Sequence, residues 1–487
     1  MKVSLINPRP NELHTTMLNS SPPLGILYIA SILRNAGIEV SALDQGSGAY
    51  SMKQVVDWIL KENPDILGFS TLLSSSFTAP KIAKEIKKKN PNIVILFGNH
   101  HATFNAKRIL LKYPYVDIVV RGEGEQTCLE LANCLSEKKC LKDVLGITFR
   151  HNNEIISNPD RPLINDIDSL PFPALDLLQD EYHNTTIGIK VAPKKFTSVL
   201  SSRGCPFKCR FCSCTNFTHN LWRSRSITNI LEELHFLVSQ GYKQIMFVDD
   251  NFTLNQKRVI ELCHRMRKEK IDLEWIGEGR VNQSSYNMFQ EMVKAGCRMM
   301  YFGIESASQK VLDYYNKGIN PKQTERAVAN ARKAGVDVIV GSLIIGAPNE
   351  TKGDINKTLR FTQRLKIDIP QINILEVFPG NAIWEEFKNI GLLNEEKYWE
   401  TGVCIPEIYP DAVPLNVLWK ILNDYYRSFL RRPQYVLKQI LLTIKSLYRL
   451  NVVFNNISRT KTIVDSINNL ASMPDPTILY AMDRIQN

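Results

Sequence analysis

The sequence lacks any apolar run of the roughly 18–20 residues that a bilayer-spanning helix requires. Its beginning, from Met1 to Pro8, is too short and too soon interrupted by proline to form the apolar core of a secretion signal. We therefore expect a cytoplasmic protein, in which the ten cysteines do not serve as structural disulfides.

Two nucleotide-binding motifs are also missing from the chain. It contains neither the GxGxxG fingerprint of dinucleotide-binding folds nor the GxxxxGK[ST] phosphate loop, which disfavours ordinary nucleotide-binding functions. What is present is a globular composition, with 487 residues of which 44% are hydrophobic and 22% charged. This composition excludes a mainly disordered or collagen-like chain, and the length predicts roughly two to four domains.

Positive charge is concentrated towards the end of the chain. The segment 417–461 has nine basic residues and one acidic residue, and so carries +8 of the net charge of +11. Such a segment indicates an acidic partner, for example anionic lipid, nucleic acid or a phosphorylated substrate. Nucleic acid is disfavoured because no aromatic base-stacking motifs accompany the basic residues.

Short apolar runs alternate with helical patterns over the first part of the chain. The predicted strands are 2–7, 38–44, 66–70, 93–97 and 117–120, and the predicted helices lie near 24–36, 52–62, 78–90, 104–112 and 125–137. This alternation predicts a parallel, doubly wound sheet, which binds ligands at the carboxyl ends of its strands. The alternative is a plain flavodoxin-like domain that uses its loops only as turns.

The cysteines nearest the middle of the chain give the strongest chemical signal. Cys205, Cys209 and Cys212 have CxxxCxxC spacing directly after a predicted strand. Three thiolates at this spacing hold three irons of a [4Fe–4S] cube and leave the fourth iron open for S-adenosylmethionine. A zinc knuckle is the alternative, although zinc usually takes paired CxxC units or added histidines, and no second CxxC occurs here. We interpret the nearby Cys214 as a bystander, since a fourth thiolate would close the site.

Later segments place small and polar residues at successive strand ends. They are Phe247 to Thr253 (FVDDNFT), Trp275 to Arg280 (WIGEGR), Tyr301 to Ser306 (YFGIES) and Val338 to Pro348 (VIVGSLIIGAP). Repeated strand–helix units of this kind predict a partial TIM-like (β/α)6 barrel with its chemistry at the carboxyl ends of the strands. Asp249 and Asp250 are candidates to face substrate or cofactor.

The ordered set CxxxCxxC, FVDDNFT, GIES and GxxxxGxP resembles the radical S-adenosylmethionine (SAM) superfamily over about residues 195–390. The resemblance implies that Phe211 lies near the adenine of SAM and that Glu305 and Ser306 contact its methionine or ribose part. It also implies an adenine border formed by Gly341, Ile345 and Gly346, and a carboxylate contact for Arg280. A barrel salt bridge is the alternative for each charged residue.

Residues 1–140 resemble the cobalamin-binding domain that precedes many radical SAM enzymes. The resemblance lies in the segments Pro22–Ala30, Gly98–Ala102 and Val120–Glu125, with Gly37 and Asp44, and it departs at Asn99-His100, where the family more often has Gly-Pro. The implied cobalamin contacts are Pro23, Leu24, Gly25, Ser70, Thr71, Leu72, Leu73, Gly98, His101, Gly122 and Glu123. A structural histidine is the alternative for His101.

No DxHxxG motif, in which a histidine coordinates cobalt, occurs in the chain. The family therefore implies a cobalamin that is bound without a histidine ligand. We hypothesise that Leu72 and Leu73 present an apolar surface to the lower face of the cobalt, which would favour the four-coordinate Co(I) state.

The C-terminal part is predicted to be mainly helical. Its apolar residues recur at helical spacing, with Lys438, Lys445 and Arg449 beside them; they are Leu437, Ile440, Leu441, Ile444, Leu447 and Tyr448. Either this stripe packs on the barrel and leaves a solvated basic edge, or it contacts a membrane surface. The expected domains are 1–145 (cobalamin-binding), 146–194 (linker), 195–392 (radical SAM barrel) and 393–487 (helical).

As a whole, the chain resembles cobalamin-binding radical SAM enzymes, a class that includes methyltransferases and the anaerobic magnesium-protoporphyrin ester cyclase group. We expect a C-methyltransferase that acts on a lipid-like or natural-product small molecule and receives electrons from ferredoxin or flavodoxin. The alternatives are an oxidative cyclase or other radical oxidoreductase and, in another class, a non-catalytic cobalamin or redox sensor. The sequence assigns no catalytic residue.

Overall fold

The computed structural model describes residues 1–10, 21–47, 50–152, 154–186, 189–401 and 413–457. These residues form two compact units. The first comprises Met1–His183 together with Asn216–Arg225, and the second comprises Asn184–Thr215 and the chain from Ser226 onward.

The first unit is built on a seven-stranded sheet in the order β2-β1-β3-β4-β5-β6-β7. The strands are β1 (Lys2–Asn7), β2 (Glu39–Asp44), β3 (Ile66–Ser70), β4 (Val94–Gly98), β5 (Ile118–Val120), β6 (Ile147–His151) and β7 (Glu154–Ser157). The helices are α1 (Leu24–Asn35), α2 (Met52–Glu62), α3 (Thr78–Lys89), α4 (His100–Phe104), α5 (Ala106–Lys112) and α6 (Glu125–Ser136). The predicted doubly wound sheet is confirmed, because β1 to β5 pair in parallel.

Strands β6 and β7 extend this sheet as an antiparallel hairpin. They occupy residues that we expected to begin the linker, and the compact unit continues as far as His183. The parallel strands β3, β4 and β5 are nearly continuous apolar runs, since helices cover both faces of a doubly wound sheet. Helix α1, for example, turns Ile26, Leu27, Ala30 and Leu33 into the core beside β1.

The second unit contains a six-stranded sheet in the order β10-β13-β14-β15-β16-β17, with every neighbouring pair parallel. These strands are β10 (Phe196–Val199), β13 (Gln244–Phe247), β14 (Glu274–Arg280), β15 (Cys297–Glu305), β16 (Val338–Ile345) and β17 (Ile369–Ile374). The short strands along the chain are β8 (Thr185–Thr186), β9 (Ile189–Lys190), β11 (Ser202–Arg203) and β12 (Arg223–Ser224). The predicted partial barrel is confirmed.

Helices connect the barrel strands and continue beyond them. They are α7 (Cys214–Phe217), α8 (Ile227–Ser239), α9 (Gln256–Lys268), α10 (Tyr286–Lys294), α11 (Gln309–Tyr314), α12 (Pro321–Ala334), α13 (Lys352–Arg364) and α14 (Ala382–Asn389). The last four are α15 (Glu395–Thr401), α16 (Leu415–Leu430), α17 (Pro433–Ile444) and α18 (Leu447–Asn456). Of the described helices, none is both long and apolar enough to cross a membrane.

One of the two interpretations of the C-terminal stripe is wrong. We considered that its apolar residues pack on the barrel and that its basic edge faces water. Instead Leu437, Ile444 and Leu447 are exposed, whereas Arg449 is buried and Lys438 donates to the carbonyl of Ile367. The polar side of these helices therefore faces the barrel.

Candidate cofactor sites

The three cysteines lie on the loop between β11 and α7, beyond the carboxyl end of β10. Two neighbouring aspartates at the end of β13 fix this loop. Asp249 accepts hydrogen bonds from the backbone and hydroxyl of Ser201, at 2.7 and 2.6 Å, and Asp250 accepts one from the N–H of Gly204 at 2.8 Å. Gly204 has a φ of +88°, a conformation that favours glycine. These contacts assign structural work to both aspartates, whose roles the sequence did not separate.

Positive side chains surround the cysteine loop. The Nη1 atom of Arg280 lies 3.4 Å from Cys209 Sγ, and its guanidinium stands 4.0 Å above the ring of Phe207. A hydrogen bond from Cys214 lowers the pKa of Cys212 below its ordinary value, and the charge of Lys317 acts in the same direction. Thiolates are the species that bind iron, so this environment favours the iron-binding form of Cys212, whereas burial raises the pKa of Cys205.

The described residues bring no three His, Cys, Asp or Glu side chains close enough together to hold a single metal ion. Cys214, which we interpreted as a bystander, is buried next to Cys212 at the beginning of α7. The ligand set of Cys205, Cys209 and Cys212, and the bystander role of Cys214, stay predictions.

A second group of residues lies at the end of β15. Glu305 has a φ of +58°, which non-glycine residues rarely adopt, and its Oε1 accepts from Lys317 Nζ at 2.6 Å. A Cβ atom on Gly303 would lie 2.6 Å from Glu305 Oε1 and 2.7 Å from Lys317 Nζ. Any larger residue at position 303 would therefore displace the ends of these two side chains. The Nζ of Lys317 also lies 5.6 Å from the centre of the Phe211 ring. The structure thus brings together Phe211, Glu305 and Lys317, of which the sequence analysis missed Lys317.

Three other residues that are predicted to contact SAM pack against protein side chains. Ser306 is fully buried, and its hydroxyl meets that of Thr358 at 3.0 Å. A Cβ atom on Gly341 would lie 2.7 Å from Ile304 Cδ1, and the side chain of Ile345 is fully buried. Their contacts with SAM stay predictions.

Gly346 ends β16 in a left-handed turn, with a φ of +93°, and donates to Glu350 Oε2 at 2.6 Å. Burial raises the pKa of Glu350 to about 7, against the opposing effect of this hydrogen bond. A role for Gly346 at the adenine stays a prediction.

In the first unit the predicted cobalamin loops meet at the carboxyl edge of the sheet. The hydroxyl of Thr71 donates to the carbonyl of Gly98 at 2.7 Å, and Ser70 Oγ accepts from Asn99 at 2.9 Å. The N–H of His101 donates to the Thr71 carbonyl at 3.2 Å. Loops 70–73 and 98–101 are therefore one connected structure beside the switch point between β1 and β3.

The edge of these loops is open at the positions where a cofactor is expected. Among the residues that the structure describes, no atom outside the adjoining chain lies within 4 Å of a Cβ built on Gly25 or Gly122, and Leu72 is 42% exposed. Pro23 precedes α1, Leu24 begins it, and Leu73 begins a short 3-10 helix. The cobalamin contacts of these residues stay predictions.

Two predicted cobalamin contacts have other surroundings. Burial lowers the pKa of His101 to about 4, and its carbonyl accepts from Asn105 at 2.8 Å, as in the structural alternative. Glu123 accepts from both terminal nitrogens of Arg223 and from the N–H of Ile164. The cobalamin contacts of both residues stay predictions.

The sequence analysis also missed part of this site. His100 stacks on Phe217, with ring centres 3.9 Å apart, and Asn99 adopts a φ of +79° to cap α4. Phe217 belongs to the segment Asn216–Arg225, which follows the cysteines and packs in the first unit. The sequence signal for this contact was the departure from the cobalamin-binding family at Asn99-His100, because His100 is the residue that stacks on Phe217.

Comparisons with known proteins agree with this architecture. The family model described as the radical SAM superfamily matches residues 199–362, and the model described as the B12 binding domain matches residues 13–132. An uncharacterized methyltransferase of Pyrococcus horikoshii, PH0819, is 36% identical over 90% of this chain and 95% of its own length.

More distant relatives cover much of the chain as well. The anaerobic magnesium-protoporphyrin IX monomethyl ester cyclase of Rubrivivax gelatinosus is 27% identical over 89% of this chain and 78% of its own. The hopanoid C-3 methylase of Methylococcus capsulatus is 24% identical over 93% and 88%. The radical SAM methyltransferase TsrM from Kitasatospora setae, solved with tryptophan and a SAM analogue, superposes with a TM-score of 0.67 at 17% identity, over 80% of this chain and 76% of that one.

The chain belongs to the family of radical SAM enzymes that carry a cobalamin-binding domain. Its cofactors are a [4Fe–4S] cluster, S-adenosylmethionine and cobalamin.

Proposed function

We propose that this enzyme methylates an unactivated carbon of a lipid-like or natural-product small molecule. The observation that carries the proposal is the presence, in one chain, of a three-cysteine loop at a barrel mouth and a cobalamin-binding domain. The 36% identity to an uncharacterized methyltransferase supports methyl transfer as the reaction. The likeness to a hopanoid methylase supports the lipid-like class of substrate.

When bound, the cluster supplies the electron that releases a 5′-deoxyadenosyl radical from SAM, and cobalamin supplies the transferable methyl group. The protein binds and orients these groups. Cys205, Cys209 and Cys212 would hold the cluster as thiolates, with Arg280 beside Cys209 and the charge of Lys317 acting on Cys212. A separate small protein of the ferredoxin or flavodoxin type delivers the electron.

The remaining polar groups at the barrel mouth orient the nucleoside. Glu305 presents a carboxylate that is held by Lys317. This carboxylate would accept hydrogen bonds from the methionine amino group or the ribose hydroxyls of SAM. Phe211 stands edge-on to Tyr315, with ring centres 5.2 Å apart, and offers an apolar side to the adenine. In the first unit, Leu72 and Leu73 would keep water and nitrogen donors away from the cobalt.

The proposal is tested by anaerobic reconstitution with iron, sulfide and cobalamin, followed by metal counting and assay of 5′-deoxyadenosine. We expect Cys205→Ala to lose the cluster and the release of 5′-deoxyadenosine. Cys140→Ala removes an exposed thiol of the first unit, serves as the control and should keep both. Zinc in the purified protein, or turnover that survives Cys205→Ala, would refute the proposal.

The reaction itself is distinguished by product mass. A methyltransferase adds the mass of one CH2 group to its substrate, and SAM labelled in its methyl group transfers that label to the product. The second candidate is an oxidative cyclase, favoured by the likeness to the magnesium-protoporphyrin ester cyclase. That reaction changes the hydrogen or oxygen content of the product and transfers no labelled methyl group.

A further inference from the structure

Helix α17 presents an apolar face to solvent. The residues on this face follow one another at the spacing of a single helical stripe and are between 43% and 67% exposed; they are Val436, Leu437, Ile440, Leu441 and Ile444. No residue of α17 is buried. A helix on the surface of a globular protein normally turns such a stripe inwards.

The opposite face of α17 holds the helix on the barrel by polar contacts. Tyr435 Oη donates to the carbonyl of Asp368 at 2.8 Å, and Gln439 Nε2 donates to Asp368 Oδ1 at 3.1 Å. The ammonium of Lys438 donates to the carbonyl of Ile367 at 3.3 Å. Rotating the apolar stripe inwards would break all three contacts and bury leucines against Asp368, so the orientation of the helix is fixed.

Helix α18 extends the same arrangement. Its inner side is held by Tyr448, which donates to the carbonyl of Val191 at 2.7 Å, and by Arg449, which pairs with Asp368 at 2.9 Å. Its outer side adds four exposed apolar residues, including Leu447 at 82% and Phe454 at 66%. We call the combined surface the C-terminal apolar face; it comprises Val436, Leu437, Ile440, Leu441, Ile444, Leu447, Val453, Phe454 and Ile457.

The charged residues of the segment that forms this face are of one sign. The described residues 431–457 include no aspartate or glutamate, and the exposed charged side chains among them are Arg431 and Lys445, whereas α16 carries both the exposed Arg427 and the exposed Asp424. Arg431 and Lys445 lie at the two ends of α17. A second copy docked through the same face would bring these positive charges together, whereas an anionic surface would neutralise them.

We propose that the C-terminal apolar face docks on an anionic lipid bilayer, with α17 and α18 lying along the surface of the membrane. Exposed aliphatic and aromatic side chains enter the boundary between headgroups and acyl chains, and the flanking basic residues contact lipid phosphates. The inference concerns location and does not depend on which reaction the enzyme catalyses.

The test is flotation of the full-length protein with vesicles of phosphatidylcholine and phosphatidylglycerol, compared with vesicles of phosphatidylcholine alone. We expect the protein to float with the anionic vesicles. The double variant Leu437→Gln/Ile444→Gln should bind them at least about tenfold more weakly, because it removes two apolar side chains from the contact. Lys445→Glu should weaken binding to the anionic vesicles only.

The matched control replaces two equally exposed apolar residues elsewhere, Leu111 at 68% and Ile390 at 60%, by glutamine. This control should float like the unmodified protein. Circular dichroism and Tm check that every variant folds. Three results would overturn the proposal: no binding of the unmodified protein, equal binding by the double variant, or a vesicle-free dimer that the double variant converts to a monomer.

Discussion

Both terminal nitrogens of Arg223 donate to the carboxylate of Glu123, each at 2.9 Å, and the two side chains are only 8% and 7% exposed. Arg223 also donates to the carbonyl of Ile164, whose N–H donates at 2.7 Å to Glu123. These contacts hold the segment Asn216–Arg225, which follows the cysteine loop, in the first unit. We infer that Glu123 positions this segment.

Replacing one member of this pair should destabilise the first unit strongly. Arg223→Met leaves the Glu123 carboxylate buried without its charge partner, so we expect the free energy of unfolding to fall by about 3–5 kcal/mol. The double variant Arg223→Met/Glu123→Leu should recover much of this loss because no unpaired charge remains. Urea unfolding followed by circular dichroism measures the free energy of unfolding of the unmodified protein and of both variants.

The control for this experiment is Arg34→Met, which breaks the exposed ion pair between Arg34 and Asp176 in the same unit. Exposed pairs contribute up to about 1 kcal/mol, so its effect should be small. If Arg223→Met were no more harmful than Arg34→Met, the Glu123 contact would have no role in holding the segment.

The carboxyl group of Glu278 gives a prediction on pH. It lies two residues before Arg280 on β14, and burial raises its pKa to about 7, with further contributions from the charges of Asp250 and Asp249. The folded protein therefore binds this proton more tightly than the unfolded chain does. The resulting stability is complete below the ordinary pKa of 4.5 and is lost as the pH rises to about 7.

Glu278→Gln stays neutral at every pH and should escape this loss. Its free energy of unfolding, relative to the unmodified protein, should rise by up to about 3 kcal/mol between about pH 5 and pH 8. Urea unfolding of the apoprotein at several pH values measures the difference. The exposed glutamate Glu154, replaced by Gln, is the control and should show no such trend. A pH-independent difference for Glu278→Gln would contradict the prediction.

Much of the fold was predictable because its signals are local. The parallel strands are short apolar runs separated by amphipathic helices, and the spacing of the three cysteines is enough to predict a cluster-binding loop. The pairing of Arg223 with Glu123 has no local signal, since the two residues are far apart in sequence and each has an ordinary surface-type side chain. The return of Asn216–Arg225 to the first unit was therefore missed.

The C-terminal helices show a different limit. Periodicity correctly placed Leu437, Ile440 and Ile444 on one side of a helix, but it does not state which side faces the protein. Here the decision is made by Asp368, whose buried carboxylate and carbonyl accept hydrogen bonds from the polar side of α17. Asp368, which is far from α17 in the sequence, therefore gives this helix the opposite of the usual orientation.

Gly303→Ala should weaken SAM binding without loss of the cluster. The added methyl group would overlap the ends of Glu305 and Lys317 and force this pair out of position. Overpacking of this kind costs about 1–3 kcal/mol, and SAM affinity should fall roughly 5- to 150-fold where this cost falls on the bound state. Equilibrium dialysis with SAM, with iron counted in the same sample, measures both effects. Gly353→Ala on α13, where the nearest atom is 3.5 Å away, is the control and should bind SAM normally.

The final prediction concerns Leu72, the exposed leucine after β3. We hypothesise that its side chain keeps nitrogen donors from the lower face of cobalt, so Leu72→His should place an imidazole there. We expect nitrogen hyperfine splitting to appear in the electron paramagnetic resonance spectrum of the Co(II) protein, which the unmodified protein should lack. Leu111→His, at a similarly exposed leucine on α5, is the control and should leave the spectrum unchanged. A Leu72→His spectrum identical to that of the unmodified protein would show that this residue does not face the metal.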